Sequence, residues 1–188
     1  MSGSAVTLML RAARARRDAL SGRVLGVENL VAQAHRDLVE AVALCRQSGE
    51  QRELVRALKA LGQIERDLAR GEAARPLYEE AVAICHDEGD PLTLAHTLRH
   101  LGDIHRDAGR VALADPCYNE ALALYRSYDR TPPLDLANTI RPLAILKDDA
   151  GQVEEARRLW EEARNIYAAV NVPEGVAECS ARLARLNR

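Results

Sequence analysis

Apolar residues recur along this chain at spacings of three and four, which is the pattern of an amphipathic helix. The recurrence comes in copies, and each copy carries two such stripes. The first stripe of three successive copies runs through Leu54, Leu58, Leu61 and Ile64, then Leu94, Leu98, Leu101 and Ile104, then Leu136, Ile140, Leu143 and Leu146. The second stripe of one copy runs through Ala74, Tyr78, Ala81, Ile84 and Cys85. No stretch alternates strictly enough to predict a strand, so we predict an all-α chain.

A Glu-Ala dipeptide marks the length of the copies. It occurs at Glu40-Ala41, Glu80-Ala81, Glu120-Ala121 and Glu162-Ala163, so the step is about 40 residues, within the range of helical repeat proteins. One pair of helices cannot bury its apolar face alone, so stacked pairs share a core and leave an extended concave surface that suits binding. The pattern predicts a single domain over 1–188, with a degenerate basic segment at 1–30, a partial repeat at 31–48, repeats at 50–88, 91–128 and 133–170, and a capping helix at 173–188.

Small residues stand where the helices of a copy are expected to cross. Gly62, Gly102 and Ala144 interrupt the first helices, and a glycine costs a helix about 1 kcal/mol relative to alanine. We expect this cost where two backbones approach too closely for a side chain. Larger rings are expected to fill the gaps one turn away: Tyr78, Tyr118 and Trp160.

Glycine and proline mark the joints. Joints between copies are predicted at Ser48-Gly49, Gly89-Asp90-Pro91, 130–133 and 171–173, and joints between paired helices at Gly109 and Gly151. Three prolines fall inside predicted helices: Pro76, Pro116 and Pro142. Because an interior proline costs about 3 kcal/mol, we expect kinks or shifted helix starts there.

These small residues and rings resemble the tetratricopeptide repeat. The matching positions are Leu61-Gly62, Ala74, Tyr78 and Ala81, then Leu101-Gly102, Ala114, Tyr118 and Ala121, then Leu143, Ala156, Trp160 and Ala163. The step is longer than the usual tetratricopeptide unit of about 34 residues, as in the kinesin-light-chain-like branch of that family. The resemblance implies a right-handed α-solenoid of antiparallel helix pairs with a carboxyl-terminal capping helix. It also implies a protein-binding adaptor that is not an enzyme and needs no cofactor.

In this family the polar face of each first helix lines the concave groove. The positions carried over as a peptide-binding groove are Arg56, Lys59, Gln63, Arg66, His96, Arg99, Asp103, Arg106, Asn138 and Arg141. Basic residues come early in these helices and aspartates late, which suits an extended peptide with both charges, or one with a carboxylate on the basic side. The lysine and asparagine set that clamps a chaperone's terminal carboxylate is missing, so chaperone binding is not predicted. The alternative is that these side chains are ordinary solvent-exposed charges that bind no ligand.

The two ends of the chain allow another interpretation. Residues 1–27 carry five arginines, at positions 11, 14, 16, 17 and 23, against Asp18 alone. Such a segment can hold an acidic partner or an anionic surface, or it can be a degenerate first helix. A structural homo-oligomer that uses the terminal helices is the main alternative function. In the final helix, Glu178, Arg182 and Arg185 are expected to face water.

Composition narrows the chemistry. A net charge of −2 and a pI near 6.2 argue against a general nucleic-acid binder. Four cysteines without a CxxC pair predict small buried residues in a reducing cytoplasm. No run is apolar enough to span a bilayer, and the amino terminus places its apolar residues before its arginines, the reverse of a secretory signal. We therefore expect a cytoplasmic protein with a protein or peptide partner and no nucleic-acid partner.

Catalytic and metal signals are weak. His96 and His100, with Asp103 and Asp107, share one helical face, so a metal or enzymatic site there is a minor alternative. No nucleophile elbow, phosphate loop or dinucleotide fingerprint is present. The carboxylate pair Asp148-Asp149 is expected on a solvated helix end with nothing to bury it. We therefore predict no catalytic residue, no metal ligand and no cofactor.

Overall fold

The computed structural model describes residues 2–21, 26–88 and 90–186. Arg23 of the basic segment, Gly89 of a predicted joint and the last two residues of the predicted capping helix lie outside these ranges. The described residues form nine α-helices and no strand, which confirms the all-α prediction. They are α1 (Ser2–Leu20), α2 (Val27–Ser48), α3 (Gln51–Asp67), α4 (Gly71–Glu88), α5 (Pro91–Asp107), α6 (Val111–Ser127), α7 (Pro133–Asp149), α8 (Val153–Ala169) and α9 (Pro173–Leu186).

Two compact units contain these helices. The amino-terminal unit, Met1–Asp90, holds α1 to α4, and the carboxyl-terminal unit, Pro91–Arg188, holds α5 to α9. Within each unit every helix packs against the next one in the chain. First helices also meet, since α1 touches α3 and α5 touches α7. The single domain over 1–188 stays a prediction.

Left-handed residues end several of the helices. Gly49 has φ 72° and its N–H donates to the Cys45 carbonyl at 3.0 Å, and Gly109 has φ 71° between α5 and α6. The equivalent joint between α3 and α4 carries Ala69, which adopts the same conformation with φ 58°. A side chain in this region is strained, so alanine carries a local cost that glycine avoids.

Buried small residues and rings form the core. The second-helix alanines predicted at crossings have no exposed surface: Ala74, Ala81, Ala114, Ala121, Ala156 and Ala163. The first-helix glycines serve a different contact from the one expected. A Cβ on Gly62 would lie 2.6 Å from the Tyr78 ring, and one on Gly102 would lie 2.7 Å from the Tyr118 ring. The expectation of two touching backbones is therefore corrected, because a tyrosine ring fills the space that each glycine leaves.

The interior prolines do not shift the helix starts. Pro76 lies inside α4, Pro116 inside α6 and Pro142 inside α7, and each helix begins well before its proline. In α7 the proline is itself buried, between Ile140 and Leu143 of the core. Burial of the flanking residues offsets the lost backbone hydrogen bond. The shifted helix start was therefore wrong, and the kink, the other alternative, stays a prediction.

Candidate functional site

The predicted groove positions of the amino-terminal unit lie on α3. Arg56 is exposed and pairs with Glu53 of its own helix, at 2.9 Å. Lys59, Gln63 and Arg66 are half-buried. Gln63 donates to the Asp67 carboxylate at 2.8 Å. This face is therefore polar, and several of its side chains are already engaged with neighbours on the same helix.

Arginines of helix α1 pair with carboxylates of α2 and α3. Arg16 donates from Nε to Asp67 Oδ2 at 2.5 Å, and Arg11 lies 3.4 Å from the buried Asp37 of α2. Burial raises the pKa of Asp67, but the hydrogen bonds from Arg16 and Gln63 outweigh it and hold that pKa below its usual value. Part of the positive charge of the basic segment is therefore paired with carboxylates of its own unit, as we expect for a degenerate first helix.

A chain of polar contacts runs along α5 in the carboxyl-terminal unit. Arg99 Nη2 donates to His100 Nε2 at 3.0 Å, and His100 Nδ1 lies 3.6 Å from Asp103. The Tyr118 hydroxyl donates to the other Asp103 oxygen at 2.8 Å. Burial and the Asp103 charge together raise the pKa of Tyr118 far above its usual range. Asp103 is only 8% exposed, so this predicted groove residue acts mainly as an internal acceptor.

Arg99 itself is half-buried and has no carboxylate within ion-pair distance among the described residues. Its Nε is buried without a hydrogen-bond partner in the same part of the chain. The Tyr125 hydroxyl, on a side chain 2% exposed, lacks a partner as well. Burial and Asp135 raise the pKa of Tyr125 to about 12, and the nearby Arg99 charge opposes that rise. The charge of Arg99 thus acts on Tyr125, and neither the Arg99 Nε nor the Tyr125 hydroxyl has a hydrogen bond to another described residue.

The predicted positions on α7 have internal partners. Asn138 accepts a 2.9 Å hydrogen bond from the Tyr167 hydroxyl of α8. Arg141 forms a bidentate pair with Glu178 of α9, at 2.7 Å from Nε and 2.9 Å from Nη2. Helix α7 touches α5, and the charge of Arg106 on α5 acts on Arg141.

The final helix pairs its charges with α7, and of the three side chains expected to face water only Arg185 is exposed. Glu178 binds Arg141, and both Arg182 and Arg185 pair with Asp148 of α7. Asp148 is consequently 9% exposed at its side chain rather than solvated. The sequence identified the helix, but it could not show that α7 lies beside the charged face. The acidic half of the predicted groove is therefore largely occupied by internal pairs.

Two buried tyrosines belong to this site and were missed from the sequence. Tyr125 and Tyr167 occupy the late second-helix position that Cys45 and Cys85 occupy in the preceding copies, and all four side chains are buried. The sequence did carry a signal for these residues: the small cysteine of the first copies is replaced by a much longer tyrosine in the last two. Its consequence is that hydroxyl groups reach the first-helix face in the carboxyl-terminal unit.

The histidine pair and the cysteines offer no assembled metal site. The His96 and His100 rings pack edge to face with centroids 4.6 Å apart, and His100 faces Asp103. Within the described ranges, no group of three or more His, Cys, Asp or Glu side chains could hold a metal ion. The four cysteines are free, and burial raises the pKa of the Cys117 and Cys179 thiols to about 11. These thiols are therefore protonated and weakly nucleophilic at neutral pH.

Paired helices on a fixed step, with a polar face on the first helix of each copy, define a helical-repeat scaffold. Residues 53–127 match the family model described as tetratricopeptide repeat. Over this stretch the chain is similar to tetratricopeptide repeats, as the resemblance in its sequence indicated. None of the curated protein sequences matches the chain significantly.

Solved structures share the fold. A crystal structure of a Podosopora anserina "putative kinesin light chain" with nearly identical TPR-like repeats aligns with TM-score 0.75 and 21% identity, over 97% of this chain and 85% of that one. BtubC (BKLC) from P. vanneervenii aligns with TM-score 0.59 and 17% identity, over 99% and 90% of the two chains. MamA aligns with TM-score 0.63 and 14% identity, over 99% and 93%. The long-repeat, kinesin-light-chain-like character predicted from the sequence is confirmed at the level of fold. No described helix is long and apolar enough to cross a bilayer.

Proposed function

We propose that this protein is a non-enzymatic interaction module that binds a peptide or protein segment on its first-helix faces. The observation that carries the proposal is the polar surface shared by α5 and α7. His96, Arg99 and Arg106 on α5 adjoin Asn138 and Arg141 on α7, and these side chains are half-buried rather than freely solvated. Partly buried, hydrogen-bonded side chains lose less conformational freedom on binding, which favours recognition.

The site favours recognition over catalysis. Its two buried carboxylates, Asp103 and Asp148, already accept bonds from protein donors. A general base would need an accessible acceptor within reach of a substrate proton. Protein binding is also the general role of tetratricopeptide repeats. The cytoplasmic location remains a prediction from the sequence.

Affinity capture from the native cell extract tests the proposal. The bait variants are Lys59→Glu and Arg99→Glu, each with unchanged circular dichroism as a condition. Arg141 is left intact because its replacement would free Glu178. The matched control is Arg158→Glu, an exposed arginine on α8. A partner retained by wild type and control but lost from Arg99→Glu supports the module, whereas equal retention by all baits contradicts it.

A second candidate, self-association through the amino-terminal helix, rests on two exposed leucines. Leu10 and Leu20 of α1 are each 66% exposed, although large apolar side chains favour burial. Sedimentation velocity over a range of concentrations, with Leu10→Glu as comparison, tests it. A wild type that stays monomeric at the highest concentration removes this candidate.

A further inference from the structure

A surface cavity of about 480 Å³ lies beside the second helix α2 of the amino-terminal unit, and its lining residues are not among the predicted groove positions. One wall is α2, where two rows of side chains run along the helix at a spacing of four. The first row is Val27, Val31 and His35, and the second is Glu28, Ala32 and Arg36. The joint between α3 and α4 contributes Leu68 and Arg70. A volume of this size lies within the range of small-molecule sites.

Helix α2 begins earlier than the second helices of the next two copies. A step of 40 residues aligns Val31 with Gly71 and Val111, which are the first residues of α4 and α6. Helix α2 begins at Val27, so it has one additional amino-terminal turn. That turn contributes Val27 and Glu28 to the cavity. The cavity is therefore lined in part by a turn that α4 and α6 lack.

One buried carboxylate organises the basic end of the cavity. Glu65 is 7% exposed, and its Oε1 lies 2.6 Å from His35 Nε2. Its Oε2 has no hydrogen bond within the described residues and lies 3.8 Å from Arg70 Nη1. Arg36 follows His35 on α2. Two arginines against one carboxylate leave this end with a net positive charge even when His35 is neutral.

The rest of the cavity is apolar, with an acid at its far end. Val27 and Leu68 are each 37% exposed, and Val31 is half-buried. A smaller cavity of about 200 Å³ shares these three residues, so the apolar patch extends beyond the first cavity. Glu28 lies eight residues before Arg36 on α2, which places the acid roughly 12 Å along the helix from the basic end. The cavity is thus basic at one end, apolar beyond it and acidic at the other end.

We propose that this cavity binds a small amphiphilic monocarboxylate, with its carboxylate at Arg36 and Arg70 and its apolar chain against Val31 and Leu68. Guanidinium groups bind carboxylates through paired hydrogen bonds, and exposed apolar side chains gain free energy when a ligand chain covers them. The carboxylate of Glu28 repels a second anionic group at the far end, so a dicarboxylate of the same length is disfavoured. Because an extended chain rises about 1.2 Å per bond, an eight-carbon acid fits the span of roughly 12 Å. This inference does not depend on the proposed function.

Isothermal titration calorimetry of the intact chain with octanoate, an eight-carbon monocarboxylate, tests the proposal. The matched probes are octanol, which lacks the charge, and suberate, which carries a carboxylate at each end. We expect octanoate to bind about tenfold or more tightly than either probe. An absence of octanoate binding at millimolar concentration, or equal affinity for either matched probe, would overturn the inference.

Two variants then locate the bound acid. Ala32 is an exposed lining residue, so Ala32→Trp should fill the cavity without disturbing the core, and it should weaken octanoate about tenfold or more. The matched control is Ala83→Trp, at an exposed alanine of α4 outside the lining set, which should bind octanoate as the wild type does. Octanoate that binds Ala32→Trp as tightly as the control is bound elsewhere, which contradicts the assignment of the cavity.

Two charge variants test the orientation of the acid. Arg70→Gln should remove most of the preference for octanoate over octanol, and it keeps the test open if Ala32→Trp fails to fold. Glu28→Gln should strengthen the binding of suberate and leave octanoate unchanged. A preference for octanoate that survives in Arg70→Gln and in Arg36→Gln contradicts the proposed carboxylate site. The capture of a protein partner, which tests the proposed function, is independent of all these outcomes.

Discussion

Replacing Gly102 by alanine is expected to destabilise the protein, although alanine is the better helix former. A methyl group on Gly102 would lie 2.7 Å from Tyr118 Cε1 and 2.9 Å from Cδ1. The ring cannot retreat easily, because Tyr118 is fully buried and its hydroxyl is bonded to Asp103. Either the ring or the α5 backbone must therefore move.

Opposing contributions set the size of the effect. Overpacking a core costs roughly 1 to 3 kcal/mol, and losing the bond from Tyr118 to buried Asp103 adds about 1 kcal/mol. The higher helix propensity of alanine offsets this loss by about 1 kcal/mol. Because three ring atoms would lie within 3.0 Å of the new methyl group, we place overpacking in the upper half of its range. The expected net loss is about 2 kcal/mol, or a fall in Tm of roughly 4–8 °C for a chain of this size.

Urea and thermal unfolding followed by helical circular dichroism measure this loss. Gly62→Ala repeats the experiment, since its Cβ would lie 2.6 Å from the Tyr78 ring. Gly71→Ala is the matched control: nothing lies within 4 Å of its Cβ position, so it should stabilise by about 0.5–1 kcal/mol. The reasoning fails if Gly102→Ala is as stable as the wild type while Gly71→Ala shows its expected gain.

Four further predictions concern charge, thiol chemistry and backbone strain. Burial raises the pKa of Tyr125 from 10 to about 12, so the folded state favours the protonated hydroxyl. The free energy of unfolding should therefore fall as the pH rises from 10 to 12, and it should fall less in Tyr125→Phe. Cys117, with a pKa of about 11, should react with iodoacetamide far more slowly in the native protein than in urea, as mass spectrometry can follow. Asp148→Asn should lose about 1 kcal/mol on urea unfolding, because Arg185 loses its carboxylate, and Arg185→Gln should cost less. Ala69→Gly should raise the unfolding free energy by about 0.5–1 kcal/mol, since φ 58° suits glycine.

Helix positions and joints were accessible from the sequence because local patterns carry them. The stripe through Leu54 and Leu58 fixes which face of α3 is buried, and both side chains are in the core. The left-handed turns at Gly49 and Gly109 follow from glycine's own backbone freedom. Neither inference needs knowledge of a distant partner.

Side-chain partners in the site were not accessible in this way. The pair Arg141–Glu178 joins residues 37 apart in the chain, and it depends on which helices lie side by side. The same holds for Arg16 and Asp67, which are 51 apart. Charge counting along one helix therefore predicted a groove with free basic and acidic sides, whereas the folded chain neutralises many of those charges internally.

Repetition makes the remaining charges interpretable, because each copy serves as a reference for the next. Had Arg99 stood alone, its lack of a carboxylate would be one more surface charge of small energetic value. Its equivalent Arg141 shows what the same position does when a glutamate occupies the neighbouring helix. At the position of α7 equivalent to Glu178 the chain has Asn138, a neutral amide. A half-buried cation that has lost its internal partner lowers stability, and such costs are expected mainly at functional sites. That cost is the reason to look for the partner of Arg99 outside the chain.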